Sequence, residues 1–425
     1  MIRDTRTSGP LKGRMAVPGS KSLTNRALVC AALAPGESRL SGASTSDDSG
    51  LLANGLNQLG ILVRRDGDAL VVEGGGPLYA PKFPVPAGNA GTTLRFLLSL
   101  AAVAEGTTVI EGGGRMAERP NDDIVEALAS LGVRVHRQEG TARFTVTGGT
   151  LPGGTWTVRS DRSSQFLSSL MMVAPRASAP VTLRPAGALA SAHYVRLTRD
   201  VMEAFGVTVG AGEGETHAVC APCAYRPARY DVEADASGAT YPFAAAAIAG
   251  GSVFVPGILP TSHQPDAGFA GILGRMGCTV RPEEGGTAVA RPGALRGIDV
   301  SMREMPDAVP ALVAAALFAE EPSRVAGVGI LRYKESNRME GMAGELRKLG
   351  ADIALEPDAI LVRPAELRGA LLDPLGDHRL AMAFALVGLR VRGVRVGDPE
   401  CVRKSFPSFW ESLEALLTET GTTSG

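Results

Sequence analysis

The chain has 425 residues, 44% of them hydrophobic, which is enough to bury the cores of two or more domains. Its 43 lysines and arginines nearly balance 44 acidic residues, so the net charge of -1 excludes a general attraction to nucleic acid or to anionic membranes. The N-terminus lacks the apolar segment of a signal peptide, and the longest apolar runs, such as residues 308–319, are too short to span a bilayer. We therefore expect a cytoplasmic protein in which any anion site is local.

The five cysteines are scattered along the chain, which is typical of a reducing compartment and not of a disulfide framework. Cys220 and Cys223 form a CxxC pair with His217 just upstream, but no second pair completes a tetrahedral metal site. We interpret them as ordinary strand and turn residues, and we predict no metal and no cofactor.

Taken in chain order, six polar clusters each lead into an Ala/Leu-rich segment, then a small or polar turn, then a short β-branched strand. The clusters begin at Lys21, Asn89, Ser163, Asp235, Asp307 and Asp377. Each starts 68 to 74 residues after the one before. Because these segments are apolar nearly all round, the pattern predicts buried helices.

A second, amphipathic helix ending in glycine and then a β-hairpin follow the buried helix and strand in most units. The glycines are Gly60, Gly132, Gly206, Gly277 and Gly350, and the hairpins include ILVRRDGDALVVEGG and VRVHRQEGTARFTVTGG. The last unit lacks a hairpin, so we expect the N-terminal LKGRMAV to supply the strand that it misses. The pattern predicts an α/β protein of six repeats, three per domain, with residues 1–14 and 232–425 in one domain and 15–231 in the other.

The stretch PGSKSLTNRAL places Lys21 and Arg26 in the first turns of a predicted helix, with no acidic residue beside them in sequence. The helix dipole disfavours cations at this end, so these side chains indicate a bound anion. If the buried helices of a domain run parallel, their N-termini share one face, and two such faces would line a cleft between the domains.

The polar residues at these helix starts and in neighbouring loops are mainly cationic or hydroxyl-bearing. They are Lys21, Ser22, Arg26, Asn89, Thr92, Arg95, Arg115, Arg119, Ser163, Ser164, Gln165, Asp307, Lys334, Glu335, Arg338, His378, Arg379, Arg403 and Lys404. Taken singly, the serines, threonines and asparagines have an alternative interpretation as helix caps. Taken together, the cations fit a small ligand with several anionic groups, and Asp307 and Glu335 are the carboxylates placed for proton transfer.

Together the motifs PGSKSLTNRAL, GNAGTTLR, RMAERP, SSQFLSSLM, PDA, KESNR, GDHRLAM and KSFP resemble those of the 5-enolpyruvylshikimate-3-phosphate synthases. The resemblance covers nearly the whole chain, in order. It implies a two-domain inside-out α/β barrel of the enolpyruvyl transferase type, without metal or organic cofactor. It also implies transfer of the enolpyruvyl group of phosphoenolpyruvate to the 5-hydroxyl of shikimate 3-phosphate, by addition and elimination, with release of phosphate. A monomer whose domains close on the first substrate is expected on the same ground.

The resemblance assigns residues to both substrates and to catalysis. For shikimate 3-phosphate it implies Lys21, Ser22, Arg26, Ser163, Ser164, Gln165, Ser191, Asp307 and Lys334. For phosphoenolpyruvate it implies Lys21, Asn89, Gly91, Arg115, Gln165, Arg338, Arg379 and Lys404. Asp307 would accept the 5-hydroxyl proton, Glu335 would protonate the methylene carbon, and Lys21 would share the proton traffic and stabilise the leaving phosphate.

Three positions depart from the family pattern. Ile330 stands where some relatives have a polar residue, Phe96 follows Arg95 where many have Pro or Leu, and DASGATYPF replaces a commoner Ser-Ser pattern. Gly91 is retained, and because members with alanine there bind the inhibitor glyphosate poorly, the resemblance implies a glyphosate-sensitive enzyme.

Other functions remain as alternatives. Enolpyruvyl transfer to UDP-N-acetylglucosamine is disfavoured by Ser22, where that family has Asn, and by the lack of a cysteine in GGGRMAERP. An RNA-end-binding repeat protein is disfavoured by the balanced charge. A ligand-binding protein without catalysis is disfavoured by the presence of both Asp307 and Glu335.

Overall fold

A computed structural model describes residues 1–212, 216–219 and 221–422. The chain divides into two compact units, one made of Met1–Pro18 with Ala234–Gly425 and the other of Gly19–Glu233. We call them the terminal unit and the central unit. Each has its own hydrophobic core.

The helices and strands are short and alternate along the described chain. The α-helices are α1 Lys21–Leu33, α2 Asp47–Gln58, α3 Gly91–Ala101, α4 Asp122–Ser130, α5 Gln165–Val173, α6 His193–Ala204, α7 Ala236–Ala249, α8 Phe269–Arg275, α9 Val309–Ala316, α10 Arg338–Arg347, α11 His378–Val387 and α12 Phe409–Thr422. The strands are β1 Ile2–Asp4, β2 Leu11–Arg14, β3 Gly36–Ser41, β4 Leu62–Asp66, β5 Ala69–Gly74, β6 Val85–Gly88, β7 Thr107–Gly112, β8 Arg134–Arg137, β9 Arg143–Thr147, β10 Gly154–Arg159, β11 Val181–Ala186, β12 Val209–Ala211, β13 His217–Val219, β14 Arg229–Asp231, β15 Gly251–Pro256, β16 Thr279–Glu283, β17 Gly286–Arg291, β18 Asp299–Ser301, β19 Ser323–Ala326, β20 Asp352–Glu356, β21 Ala359–Arg363, β22 Leu371–Leu372 and β23 Arg395–Gly397.

The Ala/Leu-rich segments form helices that are buried on all sides. In the central unit, α1 packs against α3 and α5, and α3 packs against α5. In the terminal unit, α7, α9 and α11 contact one another in the same way. Helices without a polar face are stable only inside a core, so their polar first turns are the parts of them that remain available to a ligand.

The sheets surround these helices as separate, small units. Those of the central unit have the strand orders β14-β3-β5-β4, β6-β7-β9-β8 and β10-β11-β13-β12. In the last two, the strand before a buried helix pairs in parallel with the strand after it, as β10 does with β11 across α5. A parallel pair needs such a crossover, and the crossover fixes where the helix begins relative to the sheet.

The N-terminal strands close two sheets of the terminal unit, although not in the way predicted. The orders here are β16-β17-β15-β2, β18-β19-β21-β20 and β1-β23-β22. LKGRMAV supplies β2, which pairs in parallel with β15 and not with a strand of the last unit. The last sheet takes its third strand from β1, upstream of that motif. The prediction was wrong because β-branched periodicity does not reveal that the three residues of β1 also pair.

Glycines end the amphipathic helices in conformations that other residues rarely adopt. The five predicted glycines have φ between 81° and 104°. The predicted hairpins are β4 with β5 and β8 with β9, each antiparallel.

Two predictions concern membranes and metals. None of the helices in the described residues is both long and apolar enough to cross a membrane. Cys220 lies outside the described residues, while Cys223 is half-buried and His217 is buried in β13.

Candidate active site

At the start of α1, Lys21 lies beside an acidic residue that is distant from it in sequence. The Nζ of Lys21 donates to Oδ2 of Asp48 at 2.8 Å, and both side chains are largely buried. Asp48 stands in the first turn of α2, and its backbone oxygen accepts from the hydroxyl of Thr93 in α3. Asp48 therefore ties three helix starts together, and the signal that could have found it is the Asp-Asp pair at the start of α2.

Arg26 lies deep in the central unit. Its Nε donates to the Thr198 hydroxyl at 2.8 Å, its Nη1 to the Ser22 carbonyl at 2.9 Å, and its Nη2 to the Tyr194 carbonyl at 3.3 Å. Burial lowers the pKa of Arg26 to about 10, and electrostatic interactions with Tyr194, Cys30 and Tyr230 partly offset that effect. Arg26 thus positions Ser22 and α6, and its contact with a ligand stays a prediction.

Arg95 organises the Ser-Ser-Gln motif. Its Nη1 donates to Oε1 of Gln165 at 2.6 Å and to the Ser163 hydroxyl at 3.3 Å. Its other nitrogens donate to the Asn121 side chain and the Pro120 carbonyl, and its guanidinium lies over the Phe166 ring. The Ser163 hydroxyl also accepts from the backbone N–H of Gln165, so it satisfies the first backbone donor of α5. Ser164 is buried at the N-cap position next to it.

Gly91 opens α3 where space is tight. A Cβ built on it would lie 2.7 Å from Nη2 of Arg119. Asn89 lies two residues earlier, and a Cβ built on Gly114, which has φ of +55°, would lie 3.1 Å from the Asn89 side chain. A side chain at this position would therefore require the Arg119 guanidinium to shift.

Two other predicted residues of the central unit stand apart from these networks. Arg115 lies in the 3-10 turn Gly114–Ala117 and pairs with the exposed Glu118 at 2.6 Å. Ser191 precedes α6 with φ of +52°, a conformation costly for a residue with a side chain. Such an outlier points to a functional constraint on that turn.

In the terminal unit, Asp307 is the centre of a cationic cluster. It lies in the 3-10 turn Pro306–Ala308 before α9. Its Oδ1 accepts from Nη1 of Arg338 at 2.9 Å and lies 3.4 Å from Nζ of Lys334, and its Oδ2 accepts from Nη2 of Arg379 at 2.8 Å. Burial would raise the pKa of Asp307, but the charges of Arg379, Lys334 and Arg338 together hold that pKa well below its usual value.

Arg338 joins Asp307 to two further acids. Its Nη2 donates to Glu335 at 2.7 Å and its Nε to Asp377 at 2.8 Å. Lys404, at the end of the 3-10 helix Pro399–Lys404, places its Nζ 3.9 Å from the other oxygen of Glu335. Burial alone would lower the pKa of Arg338, but Asp377, Glu335 and Asp307 reverse the shift and raise it.

Asp377 is a residue that the prediction of site residues missed. It is fully buried, caps α11 by accepting from the backbone N–H of Arg379, and also accepts from the Ser336 hydroxyl. It therefore holds the starts of α10 and α11 together. The preceding glycine and the helix that follows were the available signals, but they predict a cap and not a charge partner for Arg338. His378, next to it, is buried with 1% exposure and does not reach the surface.

Comparison with known proteins gives these clusters a context. A family model described as EPSP synthase (3-phosphoshikimate 1-carboxyvinyltransferase) matches residues 5–413. The 3-phosphoshikimate 1-carboxyvinyltransferase of Syntrophobacter fumaroxidans is 41% identical over 411 residues, or 96% of this chain and 97% of that protein. That of Methanoculleus marisnigri is 40% identical over 423 residues, or 98% and 100%.

The chain belongs to the EPSP synthase family. A solved structure of EPSP synthase from Acinetobacter baumannii has the same fold, with a TM-score of 0.80 at 24% identity over 98% of both chains. The resemblance drawn from the eight motifs is therefore confirmed at the level of the family.

The EPSP synthase motifs converge within each unit to different degrees. In the terminal unit, ion pairs connect all six predicted residues, which are Asp307, Lys334, Glu335, Arg338, Arg379 and Lys404. In the central unit, Arg95 connects Ser163 to Gln165 and Arg26 reaches Ser22, while Lys21 reaches α2 and α3 through Asp48. The roles assigned to all of these residues stay predictions.

Proposed function

We propose that this chain transfers the enolpyruvyl group of phosphoenolpyruvate to the 5-hydroxyl of shikimate 3-phosphate and releases phosphate, in the route through chorismate to the aromatic amino acids. Membership of the EPSP synthase family supports the reaction. The observation that carries the proposal is the terminal-unit cluster, in which Asp307 and Glu335 stand among four cations. The phosphates and carboxylates of the two substrates are anionic partners for which these four cations are suited.

Asp307 is the proposed acceptor of the 5-hydroxyl proton. Arg379, Lys334 and Arg338 hold Asp307 ionised but make it a weak base, because they stabilise its charged form. The phosphate and carboxylate of phosphoenolpyruvate would compete for Arg379 and Arg338, and shikimate 3-phosphate would compete for Lys334. Each cation that turns to the substrate stabilises the carboxylate of Asp307 less, so its pKa rises and it becomes a stronger base as the substrates assemble.

Glu335 is the proposed donor of the proton to the methylene carbon. It is nearly buried, and its two oxygens lie 2.7 Å from Arg338 and 3.9 Å from Lys404. Protonation of that carbon builds positive character at the adjacent C2, which the neighbouring carboxylates stabilise as the hydroxyl oxygen adds. Glu335, ionised after giving its proton, then takes a proton back from the methyl group of the tetrahedral adduct, so that the C2–C3 double bond re-forms as the bond from C2 to the phosphate oxygen breaks. Lys21 and Arg379 stabilise the negative charge of the phosphate that leaves.

The polar groups of the central unit supply the proposed binding site for shikimate 3-phosphate. The Ser163 and Ser164 hydroxyls, Lys21 and Ser22 are suited to its phosphate, since hydroxyls and helix N-termini bind such anions. Gln165, fixed by Arg95, is suited to contact both substrates. We propose that Asn89, Gly91 and Arg115 act on phosphoenolpyruvate and that both units serve the same pair of substrates.

We also propose the finer architecture that the motifs imply. Six α/β repeats, three per unit, would make a two-domain inside-out barrel, and the six buried helices support this proposal. We propose further that the protein is a monomer and works without metal or organic cofactor. A location in the cytoplasm is part of the same proposal, and the free, buried thiols of Cys30 and Cys278 fit a reducing compartment.

Phosphate release with both substrates tests the function. We expect turnover by the parent protein, and a loss of at least ~100-fold in Glu335→Gln and in Lys21→Ala, since each removes a group used in proton transfer or charge stabilisation. Glu356→Gln and Lys82→Ala are matched controls, because both side chains are exposed or half-exposed and lie on strands or loops outside the cluster.

Two outcomes would contradict different parts of the proposal. Turnover with UDP-N-acetylglucosamine in place of shikimate 3-phosphate would overturn the acceptor. Near-normal turnover in both variants would overturn the catalytic assignment while leaving the family intact.

A further inference from the structure

A cavity of about 480 Å³ lies in the central unit beside α6, and none of the residues assigned above to a substrate lines it. Its wall is formed by α6, by the loop before that helix and by β12 and β13 with their flanking residues. The volume is in the range of cavities that hold small molecules. Apolar and basic side chains share the lining, among them Leu189, Ala192, Val195, Arg196, Arg199 and His217.

Helix α6 separates this cavity from the proposed substrate site. Tyr194 and Thr198 contact Arg26, whereas Ala192, Val195 and Arg199 line the cavity. Successive residues of a helix are rotated by 100° about its axis. The mean direction of the side chains that contact Arg26 is therefore more than 90° away from the mean direction of those that line the cavity. The cavity therefore lies against the face of α6 that points away from Arg26.

His217 is a buried polar group in the wall of this cavity. It is buried with 8% exposure, and within the described part of the chain neither ring nitrogen has a hydrogen-bond partner. Burial, and then the charge of Arg199, lowers the pKa of His217, so the imidazole is neutral at pH 7 and presents one donor and one acceptor. Leaving such groups buried and unbonded costs free energy, which a ligand in the cavity would recover.

Arg199 contributes a positive charge and a hydrogen-bond donor to the wall of the cavity. Its Nε is buried and has no partner among the described residues. Arg196 stands one turn earlier on the same side of α6, and Asp200 is the acid among the described lining residues. These described residues together carry an excess of one positive charge when His217 is neutral, and Leu189, Ala192 and Val195 contribute apolar surface.

We propose that this cavity binds a small organic anion with an apolar body, whose carboxylate pairs with Arg199 and accepts a hydrogen bond from His217. A guanidinium and a neutral imidazole together can donate to both oxygens of one carboxylate. The apolar body lies against Leu189 and Val195. This site is independent of the proposed enolpyruvyl transfer.

Titration calorimetry with 2-naphthoate as the probe tests the proposal. We expect saturable binding at one site, at least tenfold weaker in Arg199→Met, because that variant keeps the stem of the side chain and removes its charge and donors. Arg184→Met is the matched control, since Arg184 is an exposed arginine on β11 of the same sheet. The neutral analogue 2-naphthalenemethanol and acetate, which lacks the apolar body, are each expected to bind at least tenfold more weakly than 2-naphthoate.

The proposed substrate site also attracts anions, so the titration is repeated with saturating shikimate 3-phosphate. Persistence of binding supports the cavity, whereas competition, or equal binding by Arg199→Met and the parent, overturns it. If Arg199→Met does not fold, the ring nitrogen resonances of His217 in the parent decide. They shift on addition of 2-naphthoate if the cavity is the site, and their constancy at saturation overturns the proposal.

Discussion

At the residue scale, two buried arginines show how surroundings determine what the same side chain does. Arg26 has hydroxyl and carbonyl partners, and burial lowers its pKa to about 10. Arg338 is equally buried, but its three carboxylate partners raise its pKa. Breaking either set of contacts leaves an uncompensated buried group, so both arginines fix local structure before any ligand binds.

Asp266 is a buried carboxylate for which the family resemblance assigned no role. It lies in the turn Pro265–Gly268, accepts from the Ser237 hydroxyl, and has 2% exposure. Burial, and then the negative charge of Asp307, raises its pKa to about 7, and Arg379 offsets part of this effect. Between its usual pKa and about 7 the folded protein binds more protons here than the unfolded chain, so this group lowers stability as pH rises through that range.

Replacing Asp266 by Asn should remove this pH-dependent term. Asp266→Asn keeps an acceptor for Ser237 and carries no charge, so we expect it to be more stable than the parent at pH 8, by roughly 1–3 kcal/mol, and to lose that advantage towards pH 5. Urea unfolding at pH 5, 6, 7 and 8 measures the difference. The control is Asp352→Asn, an exposed acid paired with Arg363. Parallel stability profiles for parent and variant would show that Asp266 does not titrate in this range.

Adding a single methyl group at Gly91 tests its predicted role in binding phosphoenolpyruvate. In Gly91→Ala the new Cβ would meet the end of the Arg119 side chain at 2.7 Å, an atom that moves more easily than backbone. We therefore expect nearly unchanged stability, a severalfold higher KM for phosphoenolpyruvate and weaker inhibition by glyphosate. Steady-state kinetics and thermal unfolding check this.

A helical glycine with free space provides the comparison for Gly91. Nothing lies within 4 Å of a Cβ built on Gly344, so Gly344→Ala should leave KM and inhibition unchanged. Millimolar tolerance of glyphosate by the parent protein would contradict the sensitivity that the family resemblance implies.

At the scale of elements, the functional side chains are fixed by contacts between helix starts. Arg95 belongs to α3, yet two of its hydrogen bonds end on Ser163 and Gln165 at the start of α5. Asp377 does the same for α10 and α11. Because the buried helices have no polar face, their relative placement is fixed by packing, and these polar contacts then set the positions of a few side chains.

Loss of the contacts made by Arg95 should weaken binding more than folding. Arg95→Lys keeps the charge but not the planar fork, so Gln165 and Ser163 lose a common anchor. We expect the KM for shikimate 3-phosphate to rise at least ~10-fold, with a smaller change in the KM for phosphoenolpyruvate. Arg64→Lys, a change at an exposed pair with Glu37, should have no effect. Unaltered kinetics in Arg95→Lys would mean that Arg95 serves packing alone.

At the scale of the whole molecule, the terminal unit is completed by the first residues of the chain. β1 pairs with β23 and β2 pairs with β15, so the N-terminus contributes to two separate sheets. The central unit contains no residue before Gly19. The cores of the two units are distinct, so their local stabilities can be perturbed separately.

Deletion of residues 1–14 should destabilise one unit selectively. It leaves β15 and β23 without a partner on one edge, and it removes the buried side chain of Leu11 and so exposes the apolar surface that this side chain covers. We expect faster amide hydrogen exchange in residues 251–256 and 395–397, and a lower unfolding temperature. Exchange in β7 and β9 of the central unit serves as the internal control. Equal acceleration in both units would show that the chain unfolds as one cooperative body.

The sequence by itself determined the local elements and the family. Ala/Leu-rich runs with polar first turns predicted the buried helices, glycines marked the ends of the amphipathic ones, and motif order indicated the EPSP synthase family. These properties depend on residues close together in the chain, so periodicity and spacing record them.

Only the tertiary structure decided which residues pair with the side chains of the candidate site and which strands pair in the sheets. Asp48 for Lys21, Asp377 for Arg338 and Arg95 for Gln165 are 27, 39 and 70 residues away in sequence. The pairing of β1 and β2 with strands of two different sheets is likewise a contact between residues far apart in sequence. Burial makes such pairs strong and necessary, but it arises only when separate helices pack together, and no local pattern encodes which distant side chain will then complete the pair.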